Sequence, residues 1–245
     1  MHPIQVLWSR HHPITGYPAG VLPVPQPIPG LAFFPGGYGV WGAQGNRPLP
    51  DLPVGKIMVL GHDFHSEMGY QKSLAMGAER LTLPTWANLL RLFQTVGIPP
   101  ELCFFTNFYM GLRAGKATTG RFPGATNPVF VDFCRQFLLE QLQMQRPMLI
   151  LTLGVYVPQA IASMSEQLAP WGERRGLKHL DTVGPVQLNV RFRGLDDLTS
   201  TVVALTHPSL RAAGVRHRSY QGLTGSAAEE QMLQEGLAAA FPLPE

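Results

Sequence analysis

The sequence predicts an α/β protein of three layers, in which helices cover both faces of a central, mainly parallel four-stranded sheet. Short runs that are almost continuously apolar alternate with segments of helical periodicity from residue 54 onward. Strands that are apolar at every position are typical of parallel sheets buried on both faces. No apolar segment approaches the roughly 20 residues needed to span a bilayer, so we expect no contact with a membrane.

Residues 1–53 are rich in proline and glycine. Repeated prolines disfavour a regular helix and a central strand. The segment nevertheless carries the aromatic residues Trp8, Phe33, Phe34, Tyr38 and Trp41. This aromatic content is atypical of a disordered tail. We therefore interpret 1–53 as an extended arm packed on a single domain formed by 54–245.

Four apolar runs are predicted to be the strands of the sheet. They are residues 57–60, 102–106, 148–153 and 201–205. Each is short, rich in branched or aromatic side chains and bounded by glycine or polar residues. A fifth segment, 186–192, is a candidate for an outlying strand.

Helices are predicted between these strands. One begins near Pro84, a residue favoured in a first turn, and ends at Gly97. Further helices are predicted at 128–145, 157–168 and 227–240. We expect 66–83 to be an irregular loop.

The net charge of +3 and a pI near 9.0 are only mildly basic. They permit nucleic-acid binding without arguing for it. Basic residues crowd two short segments, around 174–178 and 211–218. Such clusters can contact phosphates, although a solvated loop is their commoner role.

The two cysteines, Cys103 and Cys134, fall in a predicted buried strand and a predicted helix. We interpret them as inert core thiols, which fits a cytoplasmic protein, nucleoid-associated if bacterial. Two cysteines are too few to hold an iron–sulfur cluster alone. No GxGxxG or P-loop pattern follows the first strand, so we expect no cofactor.

Polar motifs follow three of the predicted strands. GHDFH follows the first strand, Asn107 the second, and HPS at 207–209 the fourth. Because the carboxyl ends of parallel strands share one edge of a sheet, where ligands collect, we expect these motifs to converge on one pocket.

These motifs resemble those of the uracil-DNA glycosylase superfamily. KIMVLGHDFH is similar to the first motif, GQDPYH, and VVALTHPSLR to the second, HPSPL. FFTNFYMGLR is similar to LLLNTVLTVR, with the Asn and the terminal Arg at matching spacing. The three motifs stand in the family's order and bracket residues 56–211.

The resemblance implies a uracil-DNA glycosylase-like fold and a monofunctional base excision repair enzyme without metal or cofactor. Such an enzyme would act as a monomer on DNA containing uracil or another damaged base, flip that base out and hydrolyse its N-glycosidic bond. Asp63 is implied to orient water and stabilise the sugar cation, and His207 to donate to uracil O2. Asn107 is implied to pair with N3–H and O4, a pattern that cytosine reverses.

The remaining implied contacts involve the base and the DNA strand. The base-binding set is His62, Phe64, His65, Asn107 and Tyr70. The DNA-binding set is Ser209, Leu210, Arg211, Arg216 and Arg218. In this set Ser209 would grip a phosphate, and Leu210 or Arg211 would wedge into the base stack.

The first motif departs from the family's pattern at three positions. His62 replaces Gln, Phe64 replaces Pro, and His65 replaces the Tyr that excludes the thymine methyl. An imidazole is smaller than a phenol, so a C5 substituent is expected to be tolerated. No aromatic clearly matches the family's stacking residue, for which Met76 and Tyr70 are the candidates.

Each candidate residue also has a simpler interpretation. Asp63 could form a turn or cap, Asn107 could satisfy loop backbone, and His207 could be a packed histidine. His62, Asp63 and His65 could instead be metal ligands. A hydrolase nucleophile at Ser209 would lack the GxSxG elbow.

Two other functions stay open. The chain could be a catalytically weak or inactive glycosylase-like protein that binds nucleic acid or a base. It could also be a hydrolase that acts on a nucleotide or another small molecule at the same pocket.

Overall fold

A five-stranded sheet forms the centre of the molecule in the computed structural model, which describes residues 1–11, 16–173 and 176–242. Its strands are β1 (Ile57–Asp63), β2 (Cys103–Tyr109), β3 (Leu149–Leu153), β4 (Val186–Arg191) and β5 (Thr199–Leu205). Their spatial order is β2-β1-β3-β5-β4. The first four strands in this order are mutually parallel, and β4 pairs antiparallel with β5 at one edge.

The prediction of an α/β fold with a mainly parallel sheet is confirmed, but the strand count of four is wrong. The candidate strand at 186–192 does join the sheet. Its ladder with β5 is irregular between Gln187 and Val190, and Asn189 there has a positive φ of 52°. Because the ladder is irregular and most residues of β4 are partly exposed, the sequence of β4 lacks the regular apolar pattern from which a strand is predicted.

Eight α-helices lie in the described part of the chain. They are α1 (Pro3–His11), α2 (Glu67–Met76), α3 (Pro84–Val96), α4 (Pro128–Gln145), α5 (Tyr156–Ile161), α6 (Leu177–Val183), α7 (Arg211–Gly214) and α8 (Gly225–Ala240). Two-residue ladders join Val21–Leu22 to Leu112–Arg113 and Ser219–Tyr220 to Leu223–Thr224. Short 3-10 turns lie at 100–102, 123–126, 162–164, 169–172, 208–210 and 215–217.

Two helix predictions need correction. The loop expected at 66–83 contains α2, which Ser66 caps by accepting a hydrogen bond from the Gly69 amide, and which ends at Gly77 with a positive φ. Of its side chains only Tyr70 and Ser73 are buried, so the segment lacks an apolar stripe. The helix expected at 157–168 ends at Ile161 and continues as a 3-10 turn.

The core lies in two layers because alternate residues of each central strand face opposite sides of the sheet. On one side, Met58 and Leu60 of β1 pack in a cluster that α1, α4 and α5 complete. On the other side, Ile57 and Val59 pack in a cluster that α3 and α8 complete. The three-layer arrangement follows from this alternation.

The arm covers the free edge of β2. The Phe34 amide donates to the Phe105 carbonyl at 3.0 Å, and the Phe105 amide donates to the Gly39 carbonyl at 2.7 Å. The side chain of Phe34 is fully buried and stacks on Phe137 of α4. The arm also contains α1, which the proline argument did not predict, and whose proline stands at the first helical position, where it is tolerated. The arm–domain boundary at residue 53 stays a prediction.

Both cysteines are buried and free. Burial raises the pKa of the Cys134 thiol to about 12, so this thiol is protonated and unreactive near neutral pH. In the ranges that the structure describes, no helix has the length and apolar character needed to cross a membrane.

Packing of the arm can be tested at Phe34. Replacing Phe34 with Ala leaves a cavity between the arm, β2 and α4, and should lower the free energy of unfolding by about 3–5 kcal/mol. Urea denaturation followed by circular dichroism measures this loss. Val129→Ala, at a side chain that is 79% exposed, is the control and should change stability little. A comparably small loss for Phe34→Ala would contradict a packed arm.

Candidate active site

A cavity of about 460 Å³ opens at the carboxyl edge of the parallel strands. Asp63 at the end of β1, Asn107 in β2 and His207 just after β5 all line it. The structure therefore brings together the three groups that strand direction predicted to converge.

Asp63 is held by an ion pair with Arg113. Nε of Arg113 donates to Oδ2 at 2.8 Å, and Nη2 donates to Oδ1 at 2.9 Å. Nδ1 of His62 lies 2.6 Å from Oδ1. Burial alone would raise the pKa of Asp63, but the hydrogen bonds from His62 and Arg113 outweigh it, and the pKa lies below its usual value. Asp63 is therefore a carboxylate near neutral pH.

Arg113 also anchors the loop that follows β2. Its remaining donors reach the carbonyls of Thr119, Gly120 and Arg121 at 2.7–3.2 Å. Its main chain pairs with Val21 of the arm in an antiparallel ladder. The motif resemblance matched Arg113 to the terminal Arg of the family's motif by its spacing, but it did not predict the contact of Arg113 with Asp63.

Asn107 is fixed in the cavity wall by the arm. Its Nδ2 donates to the Phe34 carbonyl at 2.9 Å, and the residue is only 3% exposed. A Cβ at Gly61 would lie 2.3 Å from Oδ1 of Asn107, so the glycine in β1 makes room for this amide. One N–H and the carbonyl oxygen of the amide keep their hydrogen-bonding capacity for another group.

His207 caps the turn that follows it. Its Nδ1 accepts from the Ser209 amide at 3.3 Å and lies 2.8 Å from the Ser209 hydroxyl. An Nδ1 that accepts leaves the proton on Nε2, which is thus a donor. Burial lowers the pKa of His207, while Asp63 raises it and His62 lowers it, with a net fall that favours the neutral ring.

Two further contacts place the His207 loop. The Thr206 amide donates to Oε1 of Glu229, a fully buried residue of α8, at 2.5 Å. Gly154 has a positive φ of 83°, and a Cβ on it would lie 3.0 Å from Cβ of His207. A side chain at Gly154 would therefore be strained and would crowd the histidine.

Phe33 and Trp86 form an aromatic wall of the cavity that sequence reasoning missed. Their ring centroids lie 4.9 Å apart, and both pack on Phe105. Phe33 comes from the arm, far in sequence from the three motifs, so no motif spacing indicates that it lies near the site. The sequence feature that could have indicated this contact is the high aromatic content of the arm.

Tyr70 does not line the cavity, and its assignment to base binding is wrong. The residue is fully buried, and its hydroxyl donates to the Gln26 carbonyl at 2.7 Å. Met76 is half-exposed and contacts Arg80 instead.

The other base-binding candidates, His62, Phe64 and His65, line the cavity. His62 stacks on Tyr156 with ring centroids 4.9 Å apart. Burial lowers the pKa of His65, and its Nδ1 accepts from the Ser66 amide at 2.8 Å.

Of the DNA-binding candidates, Ser209 and Leu210 line the cavity, and Leu210 is 58% exposed at its mouth. Arg216 is exposed, and its Nε donates to Nε2 of His217 at 3.0 Å. Ser209 and Leu210 are therefore accessible to a ligand that covers the cavity, whereas Arg216 is exposed but does not line it.

Arg218 is a buried structural cation, so its assignment to DNA is wrong, whereas the assignment of Arg211, which is partly exposed, stays a prediction. Arg218 is 1% exposed and pairs with Asp181 at 2.8 Å and with Glu229 at 3.3 Å. Arg211 pairs with the buried carboxylate of Glu229. Acidic partners from other segments therefore neutralise Arg211 and Arg218, whereas Arg216 of the same run stays exposed.

The second basic cluster is only partly described. Arg174 and Arg175 lie outside the described residues. Among the described residues, no group of three or more His, Cys, Asp or Glu side chains is arranged to hold a metal ion. The metal interpretation of His62, Asp63 and His65 thus receives no support.

Comparisons with known proteins found no matching family model and no matching curated protein.

Arg113 should be needed both to keep Asp63 ionised and to hold its carboxylate in position. Arg113→Gln leaves a buried carboxylate without its cation, and should lower the free energy of unfolding by about 3–5 kcal/mol. It should also raise the pKa of Asp63, which carboxyl-carbon NMR titration can follow. The control is Arg146→Gln, whose pair with Asp197 is exposed and worth about 1 kcal/mol or less. Equal losses in the two variants would contradict the assignment.

Glu79, which lines the same cavity, should make stability depend on pH near neutrality. Burial raises its pKa to about 7, although a hydrogen bond from the Phe33 amide opposes this rise. The folded state thus binds a proton that the unfolded chain has lost above about pH 4.3. Stability should therefore fall as the pH rises from about 4.3 through about 7.

Denaturant titrations at several pH values test this dependence. Glu79→Gln should remove the fall, whereas Glu166→Gln, at an exposed residue, should leave it intact. A Glu79→Gln profile that matches the wild-type profile would contradict the account.

Proposed function

We propose that this protein is a DNA-repair glycosylase on a uracil-DNA glycosylase-like form of its α/β fold. It would flip uracil or another deaminated base out of DNA and hydrolyse the N-glycosidic bond in the cytoplasm. The observation that carries the proposal is that a carboxylate, an amide and an imidazole, on Asp63, Asn107 and His207, line one cavity. The order and spacing of the three motifs support it.

The proposed reaction breaks the bond between C1′ and the base nitrogen, and the bonding electrons leave with the base. Asp63 stabilises the positive charge on the sugar, and water adds to C1′. Oδ1 of Asp63 already accepts from His62 and Arg113, whereas Nε of Arg113 is the one donor to Oδ2 within the described chain. Oδ2 therefore keeps a lone pair that can orient the attacking water and take up its proton.

His207 and Asn107 act on the base. Nε2–H of a neutral His207 donates to the base oxygen on which negative charge develops. Asn107 presents one N–H and a carbonyl oxygen to the base edge, and its bond to the Phe34 carbonyl holds the amide against rotation. A base with the reverse donor pattern would leave these buried groups unpaired, which disfavours its binding.

The aromatic wall supplies apolar contact. Phe33 and Trp86 present rings to the cavity, and ring contact with the base adds affinity that does not depend on its hydrogen-bonding edge. Phe33 thus takes the place that the motif comparison left open between Met76 and Tyr70.

One observation favours a second candidate, a glycosylase-like module that binds a base or nucleic acid without catalysis. Arg113 and His62 both bind the Asp63 carboxylate, as they would in a purely structural ion pair. In that case the cavity would retain recognition through Asn107 and the aromatic wall while the chemical step is lost.

Base release distinguishes the two candidates. The purified protein should release uracil from a labelled oligonucleotide containing deoxyuridine. Asp63→Asn and His207→Ala should slow the single-turnover rate by orders of magnitude, because each removes charge stabilisation made in the transition state. Asp197→Asn, at an exposed residue near the amino end of β5, should leave the rate unchanged.

No release by the wild type from single- or double-stranded substrates bearing uracil, xanthine or hypoxanthine would reject the glycosylase. Salt-dependent oligonucleotide binding that persists in the Asp63 and His207 variants, without release by the wild type, would establish the binding module.

A further inference from the structure

A second cavity, of about 220 Å³, lies beside the first. His62 and Tyr156 line both cavities, so their stacked rings form a wall that the two cavities share. Arg121, from the loop after β2, and Arg135, from α4, also line the second cavity. Neither arginine belonged to the motifs that indicated function.

The second cavity is cationic, and the hydrogen-bond donors of its two arginines have few partners. Nε of Arg135 is buried and has no hydrogen-bond partner within the described ranges. Nη1 of Arg135 pairs with Asp132, but that carboxylate is 60% exposed, so the pair is weak. Arg121 donates to one carbonyl, that of Ala125, at 3.2 Å. No carboxylate of the described chain lines this cavity.

Tyr109 adds a neutral donor. Its ring is fixed by stacking on Phe122, with centroids 4.5 Å apart. Burial raises the pKa of Tyr109 to about 12, so its hydroxyl stays protonated near neutral pH. Two guanidinium groups and a hydroxyl without a lining acid are complementary to a phosphate, which offers acceptors and negative charge.

We infer that the second cavity binds a backbone phosphate of the DNA strand whose nucleotide occupies the first cavity. This inference rests on the proposed function. The shared wall of His62 and Tyr156 supports a phosphate of the strand over a free phosphate, since a strand that enters one cavity must pass its rim. The contact involves no base edge, so it adds affinity without sequence preference.

The test compares oligonucleotide binding by charge-matched variants. The variant Arg121→Gln/Arg135→Gln removes two cations from the second cavity. The control, Arg191→Gln/Arg193→Gln, removes two exposed cations at the amino edge of the sheet, one at the last residue of β4 and one just beyond it. Affinity for a single-stranded oligonucleotide containing deoxyuridine is measured at several salt concentrations, with thermal unfolding as a check on folding.

The cavity variant should weaken binding about tenfold and lower the salt slope by roughly 0.7, since the loss of one phosphate contact on a single strand removes about 0.7. The control should match the wild type. Arg121→Gln alone, at an exposed side chain, should give about half the change in slope and guards against misfolding of the double variant. A cavity variant with the wild-type slope would overturn the inference.

Inorganic phosphate distinguishes the source of the anion. Phosphate binding that depends on Arg121 and Arg135, with an unchanged oligonucleotide slope, would also overturn the inference. Base release is measured on the same samples. A reduced slope without release by the wild type would reject the glycosylase while supporting the phosphate site, and release with an unchanged slope would reject the site alone.

Discussion

The ion pair between Arg113 and Asp63 is the contact on which the site depends. Transfer of such charges out of water costs roughly several kcal/mol per ion. The pair is stable only because its hydrogen-bond geometry is good and because the remaining donors of the guanidinium also have hydrogen-bond partners. Arg113 meets both conditions, with a bidentate contact to Asp63 and hydrogen bonds to three carbonyls of the following loop. One of these carbonyls belongs to Arg121, so the same guanidinium links the two cavities.

The arm is part of the site's construction. Val21 pairs with the main chain of Arg113, the Phe34 carbonyl holds the amide of Asn107, and Phe33 lines the cavity. The His207 loop has its own support, because Glu229 of α8 accepts from the preceding amide. Each of the three groups that would act on a nucleotide is therefore held by a contact between segments far apart in the chain.

The sequence was informative where local rules decide the outcome. Four apolar runs gave parallel strands, and strand direction alone predicted that Asp63, Asn107 and His207 share one edge. Contacts between residues far apart in the chain could not be predicted from the sequence. Arg218 looks like a DNA ligand until Asp181 and Glu229 are seen to neutralise it. Helix α2 was missed because it lacks an apolar stripe.

A crystal structure of the protein soaked with uracil would show whether the first cavity surrounds the uracil ring. We expect the ring to lie beside Phe33 and Trp86, with its N3–O4 edge at the Asn107 amide, O2 facing Nε2 of His207, and Asp63 on the side of N1. Uracil bound elsewhere, or in the cavity without contact to Asn107 and His207, would contradict this expectation.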